Sequence, residues 1–194
     1  MRIFLLARHA ESTLNVQGRV NGDPSVEVDL TDVGEAEART LGVQIAHMPI
    51  DLCVHTRFSR TRHTAGLALE GRDVRFREEP LLDDIDVGDL EGEPIAEYRT
   101  WKRQHTRSDR FPGGESLDEA ARRYADAFGR LAAETNGGVL VVCHEIPIRY
   151  AINAAAGSSS LDRPVHDIGN AAPFIFEAAA LARAAVQIRA LVPT

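Results

Sequence analysis

Ile3-Phe4-Leu5-Leu6-Ala7-Arg8-His9 and Gly138-Val139-Leu140-Val141-Val142-Cys143-His144 are the stretches on which the fold turns. Each is a continuous apolar run that gives way to polar residues at a histidine. Runs of this kind read as strands buried on both faces, as in the interior of a parallel sheet covered by helices. Between and beyond them the pattern alternates. Leu52 to His55 is a second short strand, and Val74 to Arg77 a weaker third. Thr31 caps a helix to about Met48, Ser59 opens one ending near Gly71, and another spans Pro94 to about Arg103. Ser116 and Glu119 form a Ser-x-x-Glu capping box for a helix reaching about Asn136, and a helix covers about Pro147 to Ala156. Arg8 to Leu30, Pro80 to Gly92 and residues 104–115 read as loops. Pro173 to Glu177 and Ala184 to Leu191 read as edge strands.

Strands alternating with helices predict an α/β fold, a three-layer α/β/α sandwich around a mostly parallel sheet. With no repeat and no linker, residues 1–194 are expected to form one domain. The chain is 44% hydrophobic and 26% charged, ordinary for a globular protein. A net charge of -7 argues against nucleic acid or an anionic membrane as partner, since both require a basic face. Lys102 is the only lysine, which leaves 21 arginines. Cys53 and Cys143 resemble buried strand residues and have neither disulfide-framework nor zinc spacing. The apolar start stops at Arg8, too short for a signal-peptide core, and no segment has transmembrane length. The expected location is cytoplasmic, and a homodimer is left open.

In a parallel sheet, ligands gather beyond the carboxyl ends of the strands. That edge would collect Arg8 and His9 from the first strand and His144 from the fourth. It would also collect Arg57, Arg60 and Arg62 after the second strand, and Asp83, Asp84 and Asp86 after the third. Histidines, arginines and a carboxylate together suit phosphoryl transfer. Guanidinium groups hold the equatorial oxygens, a neutral imidazole attacks phosphorus, and a carboxylic acid protonates the departing alkoxide. The residues alone do not choose between His9 and His144 as nucleophile.

Arg8-His9-Ala10-Glu11-Ser12-Thr13-Leu14-Asn15 resembles the opening motif of the histidine phosphatase superfamily, in its phosphoglycerate-mutase-like branch. Leu30-Thr31 with Gly34, Ser59-Arg60-Thr61-Arg62-His63-Thr64-Ala65, and Leu82 to Gly92 are similar to further motifs of that family in the same order. So are Pro112 to Ser116 and Val142-Cys143-His144. The resemblance implies a phosphoglycerate mutase-like fold and a small phosphorylated metabolite as substrate, with no cofactor and no metal. It also implies that His9 takes the phosphoryl group and that Arg8 and Arg60 clamp its oxygens. By the same resemblance His144 contacts those oxygens, Asn15 lines the pocket and Asp84 is the proton donor. Asp84 stands where the family usually has Glu, Glu145 and Ala10 where it commonly has Gly, and Arg57 where Pro is common. Asp83 and Glu91 are alternative acids, although Asp83, Asp86 and Asp89 otherwise read as a solvated loop.

Other readings lead to different chemistry. A mutase would return phosphate to its substrate, but the short chain and compact acid loop favour hydrolysis. A Cys-x5-Arg spacing from Cys143 to Arg149 resembles that of cysteine phosphatases, yet Pro147 removes a phosphate-binding N–H and no glycine relieves the turn. A binding module without turnover and a metal hydrolase complete the set. Arg99, Lys102, Arg103, Arg107 and Arg110, with Trp101, read either as a solvated face or as a lid selecting anionic substrates. His47, His55, His63, His105 and His166 read as structural or exposed.

Overall fold

A computed structural model describes residues 2–133 and 137–193. Its elements are β1 (Ile3–Arg8), α1 (Thr13–Val16), α2 (Asp32–Gln44), β2 (Leu52–His55), α3 (Ser59–Ala68) and β3 (Arg75–Glu78). They continue with α4 (Ile95–Gln104), α5 (Leu117–Ala133), β4 (Gly138–Cys143), α6 (Glu145–Ala155), β5 (Pro173–Glu177) and α7 (Ala178–Leu191). The strands form one five-stranded sheet in the order β3-β2-β4-β1-β5. All neighbours are parallel except β5, which runs antiparallel to β1.

Strand side chains alternate between the two faces, and each face has its own core. Phe4, Leu6, Val141 and Cys143 pack with residues of α5, α6 and α7. Leu5, Ala7, Leu140 and Val142 pack with residues of α2 and α3. That is the three-layer sandwich the apolar runs predict. In the centre Arg8 lies level with Cys143, and the His9 amide donates to the Cys143 carbonyl at 2.9 Å. The two histidines therefore leave the sheet side by side.

The structure corrects the reading of Ala184 to Leu191, which belongs to α7 and not to an edge strand. Alanine-rich sequence costs little to hold helical, and Leu181, Ala184, Ala185 and Ile188 are buried at helical spacing. One face of α7 thus closes against α5 and α6. Inside the segment read as a loop, Ser12 and Asn15 cap each other reciprocally and start the short α1. The predicted end of α5 at Asn136 lies outside the described residues. Among those residues no helix is long and apolar enough to cross a membrane.

Thr31 caps α2 as expected, accepting from the Gly34 amide at 3.0 Å while its hydroxyl donates to Glu11 at 2.7 Å. This seats the helix start against the segment that carries His9. The approach is so close that a Cβ on Gly34 would lie 2.0 Å from the Glu11 carbonyl oxygen. Gly34→Ala is therefore expected to destabilise the fold by about 1–3 kcal/mol through overpacking. A urea midpoint indistinguishable from the parent's would refute the close approach.

Candidate active site

His9 is almost fully buried just beyond β1. Its Nδ1 lies 2.8 Å from the Ala10 carbonyl oxygen, which can only accept. The ring proton therefore sits on Nδ1, and Nε2 keeps its lone pair. Burial, then the charges of Arg60 and Arg8, hold the ring's pKa well below the ordinary histidine value. The result is a neutral imidazole fixed in one tautomer. His144, the N-terminal cap of α6, is fully buried with its ring centre 5.6 Å from that of His9. Burial and the Arg60 charge likewise push its pKa far down.

Arg60, in the first turn of α3, is buried with its guanidinium 4.3 Å over the Phe58 ring. It donates to Asn21 through both the side-chain and the backbone oxygen. It also donates to Asp84 Oδ2 and His144 Nδ1, each at 3.2 Å. Arg8 donates to the Ile168 carbonyl at 2.8 Å and lies 3.4 Å from Glu145. Its Nε is buried without a hydrogen-bond partner. Positive charge held this rigidly needs no reorganisation when an anion arrives.

Asp84 sits between these groups, accepting from the Ile85 amide at 3.0 Å, with Oδ2 3.5 Å from His144 Nδ1. Burial raises its pKa above the ordinary carboxylate value, and the Arg60 charge only partly offsets this. The other two carboxylates considered are occupied elsewhere. Asp83 binds the Arg57 amide and Nε at 3.0 and 2.5 Å. It is buried, so the solvated-loop reading is corrected for this residue and holds for exposed Asp86 and Asp89. Glu91 accepts from the Asn21 amide group, Gly22 N and Asp23 N, which organises the loop that holds Arg60. Neither Asp83 nor Glu91 lines the cavity at His9, whereas Asp84 does. Among the described residues Arg62 reaches only Glu27, at 4.0 Å.

A cavity of about 590 Å³ opens over Arg8, His9, Arg60 and Asp84. Asn15 reaches it, with its side-chain oxygen committed to the Ser12 amide. His144 is brought beside His9 but stands behind Arg60 and Asp84, outside the cavity lining. On the far wall α4 presents Tyr98, Arg99, Lys102 and Arg103. The rest of the predicted basic stretch does not face this cavity. Trp101 packs on Phe111 and His105, Arg107 pairs with Asp118 and Asp162, and Arg110 pairs with Glu119. His166, exposed as expected, lies at the cavity wall with Arg149.

Sequence reasoning missed Asn21, which holds Arg60, and met Arg149 only as the end of the Cys-x5-Arg spacing. Asn21 carried no signal, because its role exists only once Arg60 has folded onto it. Arg149 pairs with Glu145 at 3.0 Å, an i, i+4 contact that the sequence spacing offered. With Arg8 on its other side, Glu145 adds no uncompensated negative charge. Cys143 is fully buried in the core and its thiol pKa is raised by burial. The Cys-x5-Arg spacing therefore does not form a phosphate loop. Among the described residues no cluster of three or more His, Cys, Asp or Glu is arranged to hold a metal ion.

Comparison with known proteins bears on this geometry. Residues 4–187 match the family described as histidine phosphatase superfamily (branch 1). A 2,3-bisphosphoglycerate-dependent phosphoglycerate mutase 2 of Gloeobacter violaceus is 33% identical over 164 residues, covering 77% of this chain and 73% of that one. An adenosylcobalamin/alpha-ribazole phosphatase of Salmonella typhimurium is 32% identical over 155 residues, covering 75% and 74%. In structure, the alpha-ribazole phosphatase of Shigella flexneri superposes with a TM-score of 0.79 at 22% identity over 90% of each chain, a likeness of fold.

Proposed function

The chain belongs to the histidine phosphatase superfamily, and from that premise we propose that it hydrolyses a small phosphomonoester through a phosphohistidine on His9, without a metal ion. The observation that carries the reading is the His9 ring, its Nδ1–H tied to Ala10 beside two fixed guanidinium groups. That leaves a neutral Nε2 lone pair where a phosphorus atom would be held.

In the first step Nε2 attacks phosphorus and the bond to the leaving alkoxide breaks, with Asp84 supplying the alkoxide's proton. In the second, the Asp84 carboxylate removes a proton from water, whose oxygen attacks phosphorus as the P–N bond breaks. His9 returns neutral and Asp84 protonated. Arg8 and Arg60 supply the positive charge that a metal would otherwise bring. Phosphate release across a metabolite panel, undiminished by chelator and independent of added bisphosphoglycerate, tests the reading. A bisphosphoglycerate requirement would instead favour the mutase chemistry named for the Gloeobacter relative.

The far wall bears on substrate choice. Arg99, Lys102 and Arg103 make no ion pair among the described residues, although the chain as a whole is acidic. Replacing all three by glutamine is expected to lower kcat/KM about tenfold for phosphomonoesters bearing a second anionic group, relative to nitrophenyl phosphate. Unchanged ratios across such a panel would leave these cations as a solvated face.

A further inference from the structure

Behind the site lies a chain of hydroxyl groups that the reaction above does not use. His144 Nε2 lies 3.0 Å from Thr56 Oγ1, which lies 2.9 Å from Thr61 Oγ1. The Thr61 hydroxyl in turn lies 2.8 Å from the Phe58 carbonyl oxygen and 3.3 Å from that of Thr56. Thr56, Thr61 and His144 are all buried. The proton positions follow from the far end. A carbonyl only accepts, so the single Thr61 proton goes to one. Thr61 must then accept from Thr56, and Thr56 has nothing left to give His144. Its oxygen can only accept the Nε2–H. The other side of the ring agrees, because Arg60, a pure donor, faces Nδ1 at 3.2 Å.

We propose that Thr56, backed by Thr61, is a positioning residue that holds His144 in the Nε2–H form, so that a bare Nδ1 faces Arg60 and Asp84. The two active-site histidines thus carry their protons on opposite nitrogens, each set by an acceptor outside the cavity. For Asp84 the consequence is specific. A bare Nδ1 at 3.5 Å gives its carboxylate no hydrogen bond, whereas an Nδ1–H there would stabilise the charged form and weaken the acid. Arg60 from α3, Arg8 from β1, Glu145 from α6 and the Ile85 amide also act on Asp84, and its charge is felt by Tyr98 of α4 and Tyr124 of α5. Arg123 of α5 binds the Asp84 backbone oxygen at 2.8 Å. Of these only Arg60 also touches the ring, so a proton moved to Nδ1 would face its donor and end that 3.2 Å hydrogen bond.

This inference rests on Asp84 being the acid, and its test separates the two claims. Ring-nitrogen NMR of the uniformly labelled full chain should find His144 protonated on Nε2 and His9 on Nδ1. Thr56→Val removes the acceptor, and Thr61→Val frees the Thr56 proton to point at Nε2; both should move the His144 proton to Nδ1, while Thr56→Ser keeps it in place. In both valine variants the alkaline limb of kcat/KM for alkyl phosphates should move down by about one pH unit. The profile for nitrophenyl phosphate, whose leaving group needs no proton, should keep its shape. Parent His144 protonated on Nδ1, or an unmoved tautomer in both valine variants, overturns the assignment. A moved tautomer with an unmoved alkyl-phosphate profile overturns its link to Asp84.

Discussion

His9→Ala is expected to reduce phosphate release from every substrate by about four orders of magnitude, leaving binding largely intact. The size follows from the chemistry. Removing a nucleophile takes away the covalent intermediate and leaves only positioning and electrostatic stabilisation, as in other enzymes whose residues act as a unit. Arg8 and Arg60 do not depend on His9 for their places. Arg8 is held by Ile168, and Arg60 by Asn21, Asp84 and His144. An anion should therefore still dock in the variant. The direct measurement is a rapid quench with labelled donor, followed by peptide mapping. Label should sit on the peptide containing His9, stable in base and lost in acid. Label on the peptide containing Cys143 or His144, or an alanine variant retaining a tenth of the parent rate, would sink the assignment.

Asp84→Ala should divide substrates by their leaving group. Alkyl phosphates expel a strongly basic alkoxide and should lose about 10²–10⁴-fold, the usual worth of a positioned general acid. Nitrophenyl phosphate should lose tenfold at most, because its leaving group departs without a proton. The pH dependence follows with its sign. His9 must be neutral, so activity rises as pH passes its pKa, which burial and the two arginines set below the ordinary value. Asp84 must be protonated, so activity falls as pH passes its own pKa, which burial sets above the ordinary value. The first shift moves the acid limb down and the second moves the alkaline limb up, so together they open the working range for alkyl phosphates. In the alanine variant the alkaline limb should disappear. Equal losses on both substrate types would assign the proton to another group, although Asp83 is bound to Arg57 and Glu91 to the loop at Asn21.

Much of the site was legible from local pattern because it depends on strand ends. A run such as Val139 to Cys143 can be stable only when covered on both faces, and that burial dictates parallel neighbours with helices outside. Once Ile3–Arg8 and Gly138–Cys143 are parallel and adjacent, the residues that follow them must share an edge. Where the pattern was weaker, packing decided. Ala184 to Leu191 alternates loosely enough to pass for a strand, but lies in a helix whose Leu181, Ala184, Ala185 and Ile188 join the core shared with α5 and α6.

By itself, then, the order of residues determined the layered sheet, the edge where His9 and His144 emerge, and the kinds of group gathered there. Only the tertiary structure decided which of three neighbouring carboxylates lines the cavity at His9 and which cations of α4 reach it. It also decided on which nitrogen each histidine carries its proton. These are properties of direction, and direction is settled by partners far away along the chain. Ala10 beside His9 is a local exception, whereas Thr56 and His144 meet only after the sheet has closed.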